Sequence, residues 1–204
     1  MECDVVKKVT ALLITSCFLH GCASKGFYKP ANINEKTGLY DTGSSLEQSD
    51  IYKYDTNVDI KKFKLVVLDA QSDLFRNRFE FFVRNSLSEI GVKMIFNKEE
   101  LSNFVKINPK INSKEAILQD IDDSINIRKI SNVIGPILYI KISSNVNGAG
   151  RRNIKLDIFD IETDSLLFSA AKDKVIWEDF DKEINYPIMN KMKEWFKQSM
   201  YKKA

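Results

Sequence analysis

Between Phe63 and Phe96 the spacing of apolar residues changes twice, and no other stretch restricts the fold as strongly. Within Phe63–Ala70, the residues Leu65, Val66, Val67 and Leu68 run without a polar interruption, the pattern of a strand covered on both faces. From an N-cap at Ser72 or Asp73 to about Ile90, the residues Phe75, Phe79, Phe82, Val83 and Ile90 recur at intervals that line one face of a helix, and Gly91 suits a left-handed stop. Val92–Phe96 then returns as a strand. Two strands joined by a crossover helix make a right-handed βαβ unit with parallel strands. The phenylalanine stripe is therefore core, facing the sheet, rather than a cofactor surface.

Downstream the pattern stays mixed. Asn97 and Glu100 form a capping pair for a short helix with Leu101, Phe104 and Val105 inward, ended by Pro109. Ser113 to about Arg128 reads as a peripheral helix through Ile117, Leu118, Ile121 and Ile125. Gly135 and Pro136 introduce a strand over Ile137–Ser143, and Asn145–Asn153 reads as a turn or loop. Ile154, Leu156 and Ile158 alternate with Lys155 and Asp157, and Glu162–Ser165 turns the chain into a partner strand, Leu166–Ala171. Pro187 suits a first helical turn, and Ile188, Met192, Trp195, Phe196 and Met200 make the stripe of a closing helix. The expectation is an α/β (α+β) domain over residues 63–204 with a mixed sheet, helices packed on it and the order β-α-β-α-(α)-β-β-β-α.

The N-terminal segment has a different character. Lys7 and Lys8 precede an apolar run, Val9–Leu19, which is too short to cross a bilayer and has the length of a secretory leader. The run ends in Leu19, His20, Gly21, Cys22, Ala23 and Ser24, which resembles the lipobox of bacterial lipoproteins. That resemblance implies cleavage between Gly21 and Cys22, where the narrow peptidase pocket needs a small residue, and a diacylglyceryl thioether on the Cys22 sulfur. Ile14, Thr15, Ser16 and Cys17 form a second box, but it leaves a shorter apolar core before the cut and puts Phe18 beside the lipid. Ala23 resembles the default signal for the outer membrane. Residues 1–21 are thus expected as signal peptide, and residues 22–62 as the lipidated cysteine with a flexible tether reaching roughly 35 Å. Tyr40, Ile51, Tyr52 and Tyr54 are apolar exceptions in that tether, suited to an added edge strand or to docking a partner.

The 31 basic and 28 acidic side chains, a formal net charge of +3, are spread along the chain rather than gathered in a nucleic-acid-binding stripe. Cleavage at Cys22 would remove Cys3, Cys17 and His20, the one histidine. An intrachain disulfide, a Ser-His-Asp or Cys-His nucleophile and a His/Cys zinc site all need residues that the mature chain would lack. No enzyme activity, metal or cofactor is expected. The carboxylates Asp120, Asp122 and Asp123, and Glu178, Asp179, Asp181 and Glu183, lack the alternating ligands and central glycine of a calcium loop and read as solvated helix-flanking charge. Gly148, Ala149 and Gly150 with Arg151 and Arg152 would cradle a phosphate through backbone N–H groups and guanidinium forks. A hairpin tip that is merely basic is the plainer reading. Trp177 with Ile176 offers either a recognition aromatic or sheet-edge packing.

The segment Asp157–Phe168, with an aspartate, a turn after Thr163 and a closing aromatic, resembles a strand–turn–strand phrase of small envelope lipoproteins with the anticodon-binding-like α/β sandwich. That group includes the penicillin-binding-protein activator lipoproteins, the amino-terminal domain of the Tol translocation β-propeller protein and the curli secretion lipoprotein. Asp164 stands where their phrase has glycine. Together with the lipobox, the resemblance implies a non-catalytic outer-membrane lipoprotein on the periplasmic side. Its partners would be the membrane, through the lipid on Cys22, and another envelope protein. The alternative is a binder of anionic lipid or glycan, lipopolysaccharide or peptidoglycan, through Arg151 and Arg152.

Overall fold

The computed structural model describes residues 32–70, 76–108, 124–146, 151–175 and 180–201. Its elements are β1 (Ile51–Tyr54), β2 (Leu65–Ala70), α1 (Arg76–Glu89), β3 (Ile95–Asn97), α2 (Lys98–Ile107), α3 (Ser124–Ile134), β4 (Ile137–Val146), β5 (Arg151–Asp160), β6 (Ser165–Val175) and α4 (Tyr186–Tyr201). A π turn, Asp181–Asn185, leads into α4. The six strands form one mixed sheet in the order β1-β6-β5-β4-β2-β3. As expected of a βαβ unit, β2 and β3 are parallel; β2 and β4 are parallel too, and the remaining pairs are antiparallel.

All six residues of β2 are buried because helices cover both of its faces. Leu65 and Val67 share a cluster with Leu101 and Val105 of α2, Ile127 and Ile130 of α3, and Ile137, Tyr139 and Ile161. Successive strand residues alternate, so Val66 and Leu68 face the other layer. Phe82, Val83 and Leu87 of α1 and Ile188, Met192, Trp195 and Phe196 of α4 are buried. Trp195 meets Phe168 of β6 with ring centroids 5.7 Å apart. Each such side chain removed from water contributes about 1.5–3 kcal/mol before its entropy cost.

Several boundaries differ from the expectation. The strand after α1 is only Ile95–Asn97, because the chain uses Gly91, at φ 89°, and the three following residues to leave the helix. Val92 N donates back to Leu87 O, which closes that helix end. The expected helix over residues 113–128 falls largely outside the described residues. The described α3 runs on to Ile134, since Ile127 and Ile130 continue its buried face, and Gly135 at φ 106° ends it. β4 and β5 extend into the expected loop on both sides of residues 147–150, which lie outside the described residues.

The largest difference concerns the stretch read as a tether up to residue 62. From Ile33 onward it belongs to the same compact unit as the sheet. Tyr40 is buried, stacked on Tyr186 with centroids 4.8 Å apart, and its backbone is bracketed by Asn190: Tyr40 N donates to Asn190 Oδ1 at 2.8 Å and Asn190 Nδ2 donates to Tyr40 O at 2.9 Å. Lys193, whose side chain is 1% exposed, donates to Gly38 O at 2.8 Å and lies 4.3 Å from the Tyr40 ring centroid. Lys197 donates to Thr37 O at 2.9 Å.

The next residues of this strap meet the π turn, and proline chemistry explains why. Tyr186 N donates to Asp181 O, and Pro187 has no N–H, so the carbonyls of Lys182 and Glu183 lose the helical donors that would stand at Tyr186 and Pro187 respectively. Gly43 N donates to Lys182 O at 3.2 Å, and Ser44 Oγ donates to Glu183 O at 3.0 Å. A Cβ on Gly43 would sit 1.9 Å from Glu183 Oε1, so only glycine fits this approach unless the carboxylate moves. The strap then delivers β1 to the edge of β6, the edge-strand outcome for Ile51–Tyr54.

Candidate interaction surface

One register row crosses the sheet: Asp69 opposite Lys141, Lys141 opposite Asp157, Asp157 opposite Ser169, and Ser169 opposite Lys53 of β1. Opposed residues share a face, and Asp69 shares it with Val67 and Leu65, two and four positions back, so the row lies on the α2–α3 side of the sheet. Its carboxylates are buried and matched. Asp69 accepts from the Tyr139 hydroxyl and pairs with Lys98 Nζ at 3.1 Å. Asp157 accepts from Ser169 Oγ and pairs with Lys155 Nζ at 2.9 Å. Buried carboxylates held in this way fix the register of the strands that carry them.

At the β1 end the row becomes open. Tyr52 is 66% exposed, Lys53 is exposed, and Lys155 Nζ approaches the Tyr52 ring to 6.0 Å. β1 is also the terminal strand of the sheet, paired on one side with β6. A short outer strand beside an exposed tyrosine is a surface that another chain can extend by strand addition, with the aromatic as anchor. Of the four apolar residues flagged in the tether, Tyr40 is buried, Ile51 and Tyr54 are half-buried, and Tyr52 alone is exposed.

Arg151 and Arg152 open β5, and strand alternation separates them. Arg151 Nε pairs with Asp173 Oδ2 at 3.2 Å, beside a depression of about 170 Å³ lined by Asn145 and Asn153. Arg152 lies over the Phe180 ring, 4.9 Å from its centroid, and burial lowers its pKa. The two guanidinium groups thus have different neighbours and do not form one fork. Gly148, Ala149 and Gly150 lie outside the described residues, as do Gly21, Cys22, Asp120, Asp122, Asp123, Ile176, Trp177, Glu178 and Asp179. Asp181 accepts from Asn185 Nδ2 at 2.8 Å, and Glu183 accepts from Lys174, so these two carboxylates serve the π turn. Among the described residues no group of three His, Cys, Asp or Glu side chains is placed to hold a metal ion, and no helix is long and apolar enough to cross a membrane.

No protein-family model matches the chain, and no curated protein matches it in sequence. Among solved structures it is similar to the LpoB C-terminal domain from Salmonella enterica, at 17% identity over 58% of this chain and 87% of that one, with a TM-score of 0.36. It is also similar to a chain of the PelC dodecamer from Paraburkholderia phytofirmans, at 8% identity over 75% and 96% of the two chains, with a TM-score of 0.35. A third similar structure is the lipoprotein GNA1162 from Neisseria meningitidis, at 11% identity over 68% and 98%, with a TM-score of 0.33.

Proposed function

We propose that this chain is a non-catalytic protein-interaction module of the bacterial envelope, anchored at the periplasmic face of the outer membrane by acylation of Cys22 after cleavage behind Gly21. The observation that carries the reading is Leu19-His20-Gly21-Cys22 placed directly after the apolar run Val9–Leu19. Residues 1–21 are then the signal peptide, and residues 22–32 join the lipid to the unit that begins at Ile33. A link of that length spans at most about 40 Å when fully extended, so the domain works close to the membrane. Its partner is another envelope protein that presents an extended segment to β1 beside Tyr52.

The test is mass spectrometry of the protein extracted from separated inner and outer membranes, for wild type and Cys22→Ala. Wild type yields an acylated N-terminal peptide beginning at Cys22 in the outer-membrane fraction, and Cys22→Ala stays unprocessed. A wild-type chain that retains Met1–Gly21 sinks the reading. A photocrosslinking residue at position 52 in intact cells gives a discrete adduct with one envelope protein, absent when the same residue replaces Glu162 at the hairpin tip. Equal labelling from both positions removes the role given to β1.

A further inference from the structure

At the starting end of β2, beside the α1–β3 connection, lies a groove of about 290 Å³. Its rim carries Lys61, Lys64 and Lys93, its floor includes Phe63 and Met200, and Met94 is 41% exposed beside it. No carboxylate lines the groove. The backbone behind it is already satisfied: Lys64 N donates to Pro136 O at 2.8 Å and Val66 N to Met94 O at 2.9 Å. The polar groups on offer are therefore the three exposed ammonium groups.

These lysines differ from most others in the fold. Lys62, next to Lys61, pairs with Asp160 at 2.7 Å, and Lys98, Lys155, Lys174, Lys191 and Lys193 each have a carboxylate partner. Among the described residues, Lys61, Lys64 and Lys93 have no ion pair. The nearest acid in sequence, Asp59, accepts from Lys61 N and so caps the turn rather than neutralising an ammonium. The chain continues after α4 with Lys202 and Lys203, two further cations following Met200 by two and three positions. Unpaired cations around an exposed thioether and an aromatic ring match a surface that is anionic outside and apolar just beneath. Lysine, a point charge without a fork, suits diffuse phosphate charge better than a single bidentate carboxylate.

We propose that this lysine-rimmed groove docks on the anionic phospholipid surface of a membrane. The phosphates face Lys61, Lys64 and Lys93, and Met94, the exposed apolar side chain of the groove, enters the headgroup region. The site does not depend on Cys22, and it is separate from β1 and from Arg151 and Arg152.

The experiment is co-sedimentation of the full chain carrying Cys22→Ala with vesicles of phosphatidylcholine alone or with about one third phosphatidylglycerol, at low and high salt. The apolar leader contributes equally to every variant, so the readout is the phosphatidylglycerol-dependent increment. That increment is expected to fall with salt, and to fall about 100-fold in Lys61→Glu/Lys64→Glu/Lys93→Glu. The charge-matched control Lys36→Glu/Lys106→Glu/Lys129→Glu should lose less than tenfold. Met94→Ser weakens binding without changing the salt dependence. All substituted lysines are exposed, and unchanged thermal melts by circular dichroism verify folding. The proposal is overturned if phosphatidylglycerol adds no binding, if the two triple variants behave alike, or if a hexaglutamate peptide binds the groove while vesicles do not. Competition by inorganic phosphate at the concentration of lipid headgroups also overturns it, since the groove would then be a free-anion site.

Discussion

The Ser44 hydroxyl donates to the Glu183 carbonyl at 3.0 Å, and that carbonyl stands four residues before Pro187, which has no N–H to give it. A residue far back in the chain thus completes the hydrogen bonding of a helix entrance. Removing the donor leaves a partly buried carbonyl unpaired, so Ser44→Ala should cost about 1 kcal/mol. In a Pro187→Ala background the returned N–H competes for the same carbonyl, and Ser44→Ala should then cost less than half as much. Urea unfolding of the two single variants and the double variant measures the coupling. Strict additivity would mean that the proline is not the reason for the contact.

Glu183 also makes this contact sensitive to acid. The Lys174 ammonium donates to its carboxylate and holds its pKa below the ordinary carboxylate range, against the opposing effect of partial burial. A carboxyl whose folded pKa is depressed contributes stability that is present above its unfolded value, about 4.3, and is lost as pH falls through the folded value. The stability difference between wild type and Glu183→Gln should therefore be constant above about pH 5 and shrink below about pH 4. A difference that widened on acidification would reverse the assigned direction. Protection of the amides in residues 41–47, taken relative to the intrinsic exchange rate at each pH, should fall over the same window.

The parts of the fold legible in the sequence are those whose signal is local. Leu65–Leu68, the α1 stripe and the alternation of Ile154, Leu156 and Ile158 each declare their period within a few residues, and the sheet followed from them. The strap was not legible, because its polar composition is that of a linker while its partners lie about 140–160 residues away in α4 and the π turn. Pro187 was read as a helix start, yet the carbonyls it strands are what Gly43 and Ser44 satisfy. Lys193 was not singled out in the sequence, and its burial becomes intelligible only with Glu89, Gly38 and Tyr40 around it. Tyr52 was singled out with three neighbours, but spacing alone did not show which of the four would remain exposed. The lysine groove was missed altogether, since it joins residues 60–66, 90–94 and 200 across two connections.

Lys193 should be among the most consequential polar residues of the domain. Its ammonium, fully removed from solvent, meets the Glu89 carboxylate, Gly38 O and the Tyr40 ring. Lys193→Met keeps the stem and its packing but abandons all three contacts. Glu89 is 36% exposed and can rehydrate, so the loss should fall below the 3–5 kcal/mol typical of breaking a fully buried pair, at about 2 kcal/mol. Chemical unfolding gives the magnitude. Hydrogen exchange should show the Gly38 and Leu39 amides losing protection while those of β4 and β5 keep theirs, because the strap is held by α4 and the central strands are not.

Asp164 is the one non-glycine residue with positive φ among the described residues, at 56°, and it occupies the turn between β5 and β6. The start of that turn is pinned independently: Asp160 Oδ1 accepts from Glu162 N at 3.0 Å and Asp160 Oδ2 pairs with Lys62 at 2.7 Å. The left-handed residue is therefore imposed by the hairpin rather than chosen by Asp164. Aspartate tolerates this conformation better than most residues, and glycine better still. The only counterweight is the pair with Arg128 Nη2 at 3.5 Å, with side chains 42% and 72% exposed, a geometry that contributes little. Asp164→Gly should accordingly stabilise the domain by about 0.5 kcal/mol, and Asp164→Val should cost about 1–2 kcal/mol. Urea midpoints at unchanged slope decide it. A destabilising glycine would mean that the Arg128 pair outweighs the backbone term.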